Sequence, residues 1–202
     1  SLRGARHVII PYRIEAGTFM VAAAITRGTI LVKNMLPDHV KPIIAKLREC
    51  GCDIFMTPEG VVVDASDREL KSTDIKTLPY PGFPTDMQAQ ITAMMTICQG
   101  RSTVMETVFE NRFMHVVELN RMGASIATTG ARGAIIEGPA KLTGCEVSAT
   151  DLRAGAAMIL AGLVAEGTTT VGNLHHIDRG YEDIVGKLKG LGADIQRISV
   201  KD

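Results

Sequence analysis

Four charged residues lie at or near the starts of predicted helices. Asp86 stands in "YPGFPTDMQAQ", Arg112 in "FENRFMH", Arg153 in "SATDLRAG" and Arg179 in "HIDRGYE". Thr150 is the expected cap of the helix that carries Arg153. An arginine in the first turn of a helix is disfavoured by the helix dipole by up to about 1 kcal/mol. A bound anion would offset this cost, because arginine side chains and the free N–H groups of a helix start bind anions together. The arginines therefore favour an anionic ligand, with surface arginines or internal salt bridges as the alternatives.

Asp86 differs from the arginines because a carboxylate suits the positive end of a helix dipole. Thr85 and Gln88 have the spacing of a capping box, in which two side chains satisfy free N–H groups at the helix start. The helix can then begin without help from Asp86. We therefore expect Asp86 either to complement the dipole or to face a ligand.

The composition excludes several classes of protein. The 202 residues carry 22 basic and 22 acidic side chains and are 46% hydrophobic, which argues against a disordered chain and a general nucleic-acid-binding surface. No apolar run is long enough to cross a membrane, and the first residues lack the apolar core of a signal peptide. The four scattered cysteines are typical of reduced thiols rather than a disulfide framework. We expect a cytoplasmic protein without nucleic-acid or membrane partners.

Signatures of cofactor binding are missing from the sequence. His115, His175 and His176 have no carboxylate or thiol at the spacing of metal ligands. The sequence has no glycine-rich phosphate loop of the nucleotide-binding type. We therefore expect neither a metal site nor a bound cofactor.

The elements that would position the charged residues occur in three similar copies. In each copy a glycine follows an apolar helix and a second glycine ends a later helix. The spacing within a pair is 23, 23 and 25 positions (Gly28 to Gly51, Gly100 to Gly123 and Gly167 to Gly192). Each glycine is predicted to adopt the left-handed conformation that ends a helix, since only glycine does so without strain. This regularity indicates an internal repeat.

Each copy reads as a leading strand, a helix, a strand, a second helix and a closing strand. The leading strands are "RHVIIP", "DIKTLP" and "CEVSAT", and the first two copies continue into one more strand. The first helix of each copy is apolar or small nearly all round, which predicts burial on every side. The sequence thus predicts an α/β fold of three βαβαββ repeats with helices inside and sheets outside, an inside-out α/β barrel. The repeats would span about 5–70, 71–140 and 141–202 of a single domain.

The third copy stops after "GADIQRISVKD" and lacks the last strand. The edge of its sheet would be left open or would receive a strand from elsewhere. Because open edges are usually covered or paired, we expect the chain to belong to something longer.

Four segments together resemble the enolpyruvyl transferase family, and within it the UDP-N-acetylglucosamine 1-carboxyvinyltransferases. They are "FPTDMQAQ", "FENRFMHVVELNRMGA", "TDLRAGAAMILAGLVAEGTT" and "HIDRGYEDIVGKLKGLGA". The resemblance implies two similar domains of three repeats each, with the active site between them. It also implies transfer of the enolpyruvyl group of phosphoenolpyruvate to the 3′-hydroxyl of UDP-N-acetylglucosamine with release of phosphate. In bacteria this is the first committed step of peptidoglycan synthesis.

The resemblance assigns roles to five residues. Asp86 would contact the sugar hydroxyl, and the backbone of Val108 would contact the UDP-sugar. Arg112, Arg153 and Arg179 would line the interdomain cleft, with Arg179 gripping phosphoenolpyruvate. Asp86 and Arg179 are thus the predicted catalytic residues. Because a carboxylate at a helix start is a weak base, Asp86 is expected to orient the hydroxyl and to take its proton only in the closed site.

Two features of the family have no counterpart in this sequence. They are the lysine–asparagine pair near the N-terminus and the loop that bears the general acid. None of the four cysteines lies in such a loop motif. The resemblance therefore implies a missing N-terminal domain, without which the chain is expected to be inactive. The alternatives are a non-catalytic binding or regulatory module of the same fold, or another enolpyruvyl transferase, of the 3-phosphoshikimate type.

Overall fold

The computed structural model describes residues 3–4 and 6–199. The first third holds α1, β1, a 3-10 helix, α2, β2 and β3 (Arg13–Ile25, Thr29–Lys33, Pro37–Val40, Lys41–Glu49, Asp53–Thr57 and Gly60–Asp64). The second holds β4, a 3-10 turn, α3, β5, α4, β6 and β7 (Ile75–Lys76, Thr85–Met87, Gln88–Met95, Gly100–Met105, His115–Arg121, Ser125–Thr129 and Gly133–Gly138). The last holds β8, α5, β9, α6 and α7 (Glu146–Ser148, Leu152–Gly162, Thr170–Gly172, His175–Asp178 and Ile184–Gly190).

The helices α1, α3 and α5 form the centre of the molecule and pack against one another. Every residue of α3 is buried, as are most residues of α1 and α5. Small residues permit this close packing: a Cβ added at Gly17 would lie 2.6 Å from Ile43 Cδ1, and one at Gly155 would lie 2.6 Å from Ile177 Cγ1. The prediction that these helices are buried on all sides is confirmed.

A buried polar junction joins the three parts of the chain. Tyr181 OH lies 2.8 Å from Thr18 Oγ1, and Gln90 Nε2 donates to both oxygens at 3.3 Å. All three side chains are at most 4% exposed. Because α1 carries Thr18, α3 carries Gln90 and Tyr181 follows α6, this junction connects residues that are far apart in the sequence.

Three sheets cover the helices, and they differ in completeness. The first has the antiparallel order β1-β3-β2, and the second has the order β4-β5-β7-β6 with β4 parallel to β5. The third is the parallel pair β8-β9. The alternation of buried and exposed residues along β5 and β7 directs one face of the second sheet to the core. The predicted α/β fold with helices inside is confirmed.

Two predicted strands are wrong. Residues 6–12, including "RHVIIP", form no strand, and Val8 and Ile9 are 85% and 86% exposed. Residues 193–199 of the predicted closing strand in the third copy are also irregular. The second error has a clear cause, since the corresponding strands β2 and β6 each pair only with the strand that follows them. The third copy has no such following strand in the described residues, so its closing strand lacks a hydrogen-bonding edge.

The glycine prediction is right at five of six positions. Gly51, Gly123 and Gly192 follow α2, α4 and α7 with φ of 104°, 98° and 98°. Gly100 and Gly167 also have positive φ. Gly28 does not, because the preceding Arg27 takes the left-handed conformation at φ 53°.

Within the described residues, no helix is both long and apolar enough to span a bilayer.

Candidate functional site

The site centres on Asp86, in the 3-10 turn before α3. Its Oδ1 accepts a hydrogen bond from Arg153 Nε at 2.5 Å and lies 3.4 Å from Arg112 Nη1. Three of the residues singled out in the sequence are therefore in contact. Two of the three arginines form internal salt bridges, which was one of the alternatives to a ligand.

The cluster combines cationic and anionic side chains. Two guanidinium groups contact the carboxylate of Asp86, and the carboxylate of Glu106 is linked to Arg112 through one threonine hydroxyl. The side chains of Arg112, Arg153 and Asp86 are 23%, 31% and 32% exposed. They are partly shielded from water yet within reach of a ligand. This arrangement can bind an anion, since a guanidinium group retains N–H donors beyond those used by Asp86.

Arg153 lies in the first turn of α5, as predicted, but the helix is capped by a different residue. Asp151 Oδ1 accepts from Arg153 N at 2.7 Å and from Ala154 N at 3.0 Å. The expected cap, Thr150, has a buried hydroxyl without a described partner. The carboxylate of Asp151 complements the helix dipole and thus offsets the unfavourable position of Arg153.

The predicted capping box of Thr85 and Gln88 is wrong. The Thr85 hydroxyl donates to Glu106 Oε2 at 2.8 Å and accepts from Arg112 Nη1 at 2.8 Å. The 3-10 turn and α3 have no side-chain cap among their described hydrogen bonds. The two arginines therefore orient Asp86. No capping box at the helix start leaves its carboxylate free.

Arg112 lies in a loop and not in a helix, because α4 begins only at His115. Asn111 has φ 56°, so the chain turns directly before Arg112. The guanidinium group of Arg112 lies 4.0 Å from the centre of the Phe109 ring. This stacking orients the planar group and leaves its edge directed at Thr85 and Asp86.

Val108 lies in the same loop, and its backbone N–H is already engaged. It donates to Glu106 Oε1 at 2.8 Å. The carbonyl oxygen is therefore the group through which the backbone of Val108 would contact a ligand.

Sequence reasoning missed Glu106, which is fully buried. A signal for it exists in the strand period: Ser102, Val104 and Glu106 alternate with exposed residues, and the first two face the core in β5. A carboxylate on the inner face of a sheet requires hydrogen-bond donors around it. The pattern could therefore have identified Glu106 as part of a polar site.

Arg179 is not brought to the other arginines by any described contact. It follows the short helix α6 and caps its C-terminal end, so the prediction of a first-turn position is wrong. The helix dipole favours a cation there. Its side chain is exposed, and among the described residues it makes no hydrogen bond or salt bridge. The neighbouring Asp178 pairs instead with Arg197.

Tyr12, which the sequence reasoning also missed, lies at the start of α1 beside the Asp86 cluster. Burial raises the pKa of Tyr12, and the charge of Asp86 raises it further, while Arg153 and Arg13 lower it. The guanidinium group of Arg13 lies 5.1 Å from the centre of the Tyr80 ring. The N-terminal ends of α1, of α5 and of the turn before α3 therefore meet at one end of the molecule.

The cysteines are not part of this site. Cys50, Cys52 and Cys98 are buried. A hydrogen bond to Cys98, together with burial, strongly raises the pKa of the Cys50 thiol, and burial raises the pKa of Cys52 to about 12. Neither thiol is therefore activated as a nucleophile. Among the described residues, no group of three or more His, Cys, Asp or Glu side chains is placed to hold a metal ion.

Comparisons with known proteins identify relatives along the whole chain. Residues 1–188 match the family model described as EPSP synthase (3-phosphoshikimate 1-carboxyvinyltransferase). The chain is 62% identical to the UDP-N-acetylglucosamine 1-carboxyvinyltransferase of Finegoldia magna, covering 100% of this chain and 48% of the relative. A protein of Caldanaerobacter subterraneus subsp. tengcongensis with the same name, numbered 1, is 59% identical over 98% of this chain and 47% of its own length. The chain thus spans about half the length of these curated relatives.

Solved structures show the same fold. The enolpyruvyl transferase NikO from Streptomyces tendae superposes with a TM-score of 0.82 at 28% identity, covering 93% of this chain and 44% of that one. An EPSP synthase from Acinetobacter baumannii superposes with a TM-score of 0.64 at 20% identity, covering 82% of this chain and 39% of that one. The second likeness concerns the fold alone.

Proposed function

Because the chain belongs to the EPSP synthase family, whose model matches residues 1–188, we propose that it forms one domain of a UDP-N-acetylglucosamine 1-carboxyvinyltransferase. The complete enzyme would transfer the enolpyruvyl group of phosphoenolpyruvate to the 3′-hydroxyl of UDP-N-acetylglucosamine and release phosphate. The reaction would serve peptidoglycan synthesis in the cytoplasm. The observation that carries the proposal is the contact of Asp86 with Arg112 and Arg153 at the open end of the buried helices.

Each residue of the cluster has a role that its contacts support. Asp86 accepts hydrogen bonds, so it can align the sugar hydroxyl and receive its proton once water is excluded. Arg112 and Arg153 bind anionic groups and stabilise charge that shifts during addition and elimination. The carbonyl of Val108 would accept a hydrogen bond from the UDP-sugar.

Arg179 would grip phosphoenolpyruvate. Its exposed side chain is consistent with this role, because it is not committed to another group in the described part of the chain. A guanidinium group matches both the carboxylate and the phosphate of this substrate. In the complete enzyme, Arg179 would line the cleft between the two domains, where phosphoenolpyruvate would bind.

The proposal includes a second domain, since the chain spans about half the length of its relatives. That domain would carry the general acid, and this chain alone would be inactive. All 202 residues would then form a single domain, with repeats near 5–70, 71–140 and 141–202.

A complementation experiment tests the proposal. The part of the Finegoldia magna relative that this chain does not cover is co-expressed with the 202-residue chain, and phosphate release is measured. We expect release with phosphoenolpyruvate and UDP-N-acetylglucosamine together, and none with shikimate 3-phosphate as acceptor. The relative's own two halves, recombined in the same way, are the positive control. A folded hybrid that stays inactive while this control is active contradicts the proposal.

Asp86 is tested in the same complemented enzyme. We expect Asp86→Asn to lower kcat by about 100-fold or more, because the amide cannot take the hydroxyl proton. Asp67→Asn is the matched control: Asp67 is exposed, and asparagine tolerates its left-handed φ of 54°. Equal activity of the two variants would remove Asp86 from the reaction.

A further inference from the structure

Glu106 is a fully buried carboxylate at the end of β5, and hydrogen bonds occupy both of its oxygens. Its Oε1 accepts from Thr77 Oγ1 at 2.6 Å, from Val108 N at 2.8 Å and from Phe109 N at 3.2 Å. Its Oε2 accepts from Thr85 Oγ1 at 2.8 Å. One side chain therefore ties together the segment after β4, the turn before α3 and the loop after β5.

The direction of these hydrogen bonds follows from the other partners of the two threonines. Thr77 Oγ1 accepts from Thr107 N at 2.9 Å, and Thr85 Oγ1 accepts from Arg112 Nη1 at 2.8 Å. Each hydroxyl has a single proton, which is left to donate to Glu106. All four contacts of Glu106 thus come from donors, which suits a carboxylate.

Arg112 is supported by Glu106 along two routes. The first is the relay from Glu106 Oε2 through the Thr85 hydroxyl to Arg112 Nη1. The second is Phe109, whose N–H is bound by Glu106 and whose ring lies beneath the guanidinium group of Arg112. The described contacts of Arg112 include only one other polar partner, Asp86, at the longer distance of 3.4 Å.

We propose that Glu106 is a positioning residue, which holds Arg112 and the backbone of Val108 in the orientation that binds the ligand. Glu106 itself is buried and does not touch the ligand. The identity of the ligand rests on the function proposed above, whereas the support of Arg112 does not. An experiment can therefore contradict the identity of the ligand without contradicting the support of Arg112, and the reverse.

The support of Arg112 is tested without any ligand. The 202-residue chain is treated with phenylglyoxal, which modifies arginine side chains, and the rate at each arginine is followed by peptide mass spectrometry. We expect Thr85→Val and Glu106→Gln to raise the rate at Arg112 by about tenfold each, the factor expected for losing one hydrogen bond to a charged group. The double variant should show no further increase, because glutamine keeps one oxygen for the N–H groups of Val108 and Phe109, so that both changes break only the relay.

Controls separate this effect from general loosening. Glu110→Gln removes an exposed carboxylate of the same loop, which pairs with Arg132, and should leave Arg112 unchanged. Arg101 is exposed and should react at one rate in all variants. If Glu106→Gln does not fold, Thr85→Val decides alone, since it removes only the relay, and Thr85→Ser should restore protection. An unchanged rate at Arg112 in folded Thr85→Val overturns the proposal, as does an equal increase at Arg101.

The consequence for ligand binding is measured in the complemented enzyme. We expect Thr85→Val to raise KM for UDP-N-acetylglucosamine by about tenfold while kcat changes less, because Arg112 is displaced but Asp86 and Arg153 remain. Glu110→Gln should leave both constants unchanged. Exposed Arg112 together with an unchanged KM would contradict the positioning role in binding, although the relay would stand. An enzyme without activity in any form would instead contradict the proposed function.

Discussion

At the scale of single residues, Asp86 makes structural contacts in addition to the chemical role proposed for it. It neutralises part of the charge of Arg112 and Arg153, which would otherwise repel each other at the end of the buried helices. The pair is only partly buried, so its contribution to stability is small, on the order of 1 kcal/mol or less. This small contribution is consistent with the ligand-binding role proposed for the cluster.

His115 gives a prediction about acid stability. It is 3% exposed at the start of α4, and its Nε2 has no described partner. Burial lowers the pKa of His115 to about 4, although the charge of Asp151 acts in the opposite direction. The unfolded chain therefore binds a proton near pH 6.5, whereas the folded chain stays neutral down to about pH 4. The free energy of unfolding should fall by roughly 1–2 kcal/mol between pH 6.5 and pH 5.

The measurement is urea unfolding of the 202-residue chain across this pH range. We expect His115→Leu to flatten the slope, while His175→Gln, a change at an exposed histidine, should leave it as it is. The range ends at pH 5 because Asp64 adds its own acid dependence below that. Hydrogen bonds from Ser66 and Thr29 lower the pKa of Asp64 to about 2. A slope that persists in His115→Leu would show that other groups carry it.

At the scale of elements, the ends of the second helices depend on backbone conformation. Gly192 follows α7 with φ 98°, and a Cβ built there meets nothing within 4 Å. Gly190 is the last residue of α7 and has equally open surroundings, without a positive φ. The two glycines thus differ in conformation but not in the space around them.

Alanine substitutions at these two glycines should change the free energy of unfolding in opposite directions. We expect Gly192→Ala to lower the free energy of unfolding by about 1 kcal/mol, because alanine is strained at positive φ. Gly190→Ala should raise it by about 0.5 kcal/mol, since alanine is the better helix former. Urea or thermal unfolding of the two variants measures both values. Equal effects would show that the left-handed conformation is not required after α7.

At the scale of the whole molecule, the buried polar junction of Tyr181, Thr18 and Gln90 connects all three parts of the chain. Burial raises the pKa of Tyr181 to about 12, while hydrogen bonds with Thr18 and Gln90 lower it. The hydroxyl therefore remains a neutral donor at physiological pH. Its partners lie on α1 and α3, so loss of the hydroxyl would remove a contact with two of the three central helices.

Removal of this hydroxyl should destabilise the protein. We expect Tyr181→Phe to lower the free energy of unfolding by about 1–2 kcal/mol, since Gln90 and Thr18 lose a buried partner. Tyr80→Phe is the control, because Tyr80 is exposed, and should change stability by less than about 0.5 kcal/mol. Chemical unfolding followed by circular dichroism measures both. A neutral Tyr181→Phe would mean that the junction contributes little to holding the parts together.

The sequence by itself determined the features that depend on local pattern. Helices without a polar face had to be buried, and the paired glycines marked helix ends at Gly51, Gly123 and Gly192, because periodicity and φ are properties of neighbouring residues. The resemblance of four segments indicated the family. The position of Arg153 in the first turn of α5 could also be predicted, because a helix start is marked by neighbouring residues in the sequence.

Only the tertiary structure decided which residues meet. Thr85 has the spacing of a cap, yet Glu106 and Arg112, which are 21 and 27 positions away, bind its hydroxyl instead. The predicted strand "RHVIIP" and residues 193–199 of the predicted closing strand are irregular, because a strand forms only where a neighbouring edge accepts its hydrogen bonds. Such partners are remote in the chain. Which of them binds a given donor or acceptor depends on how the sheets and helices pack.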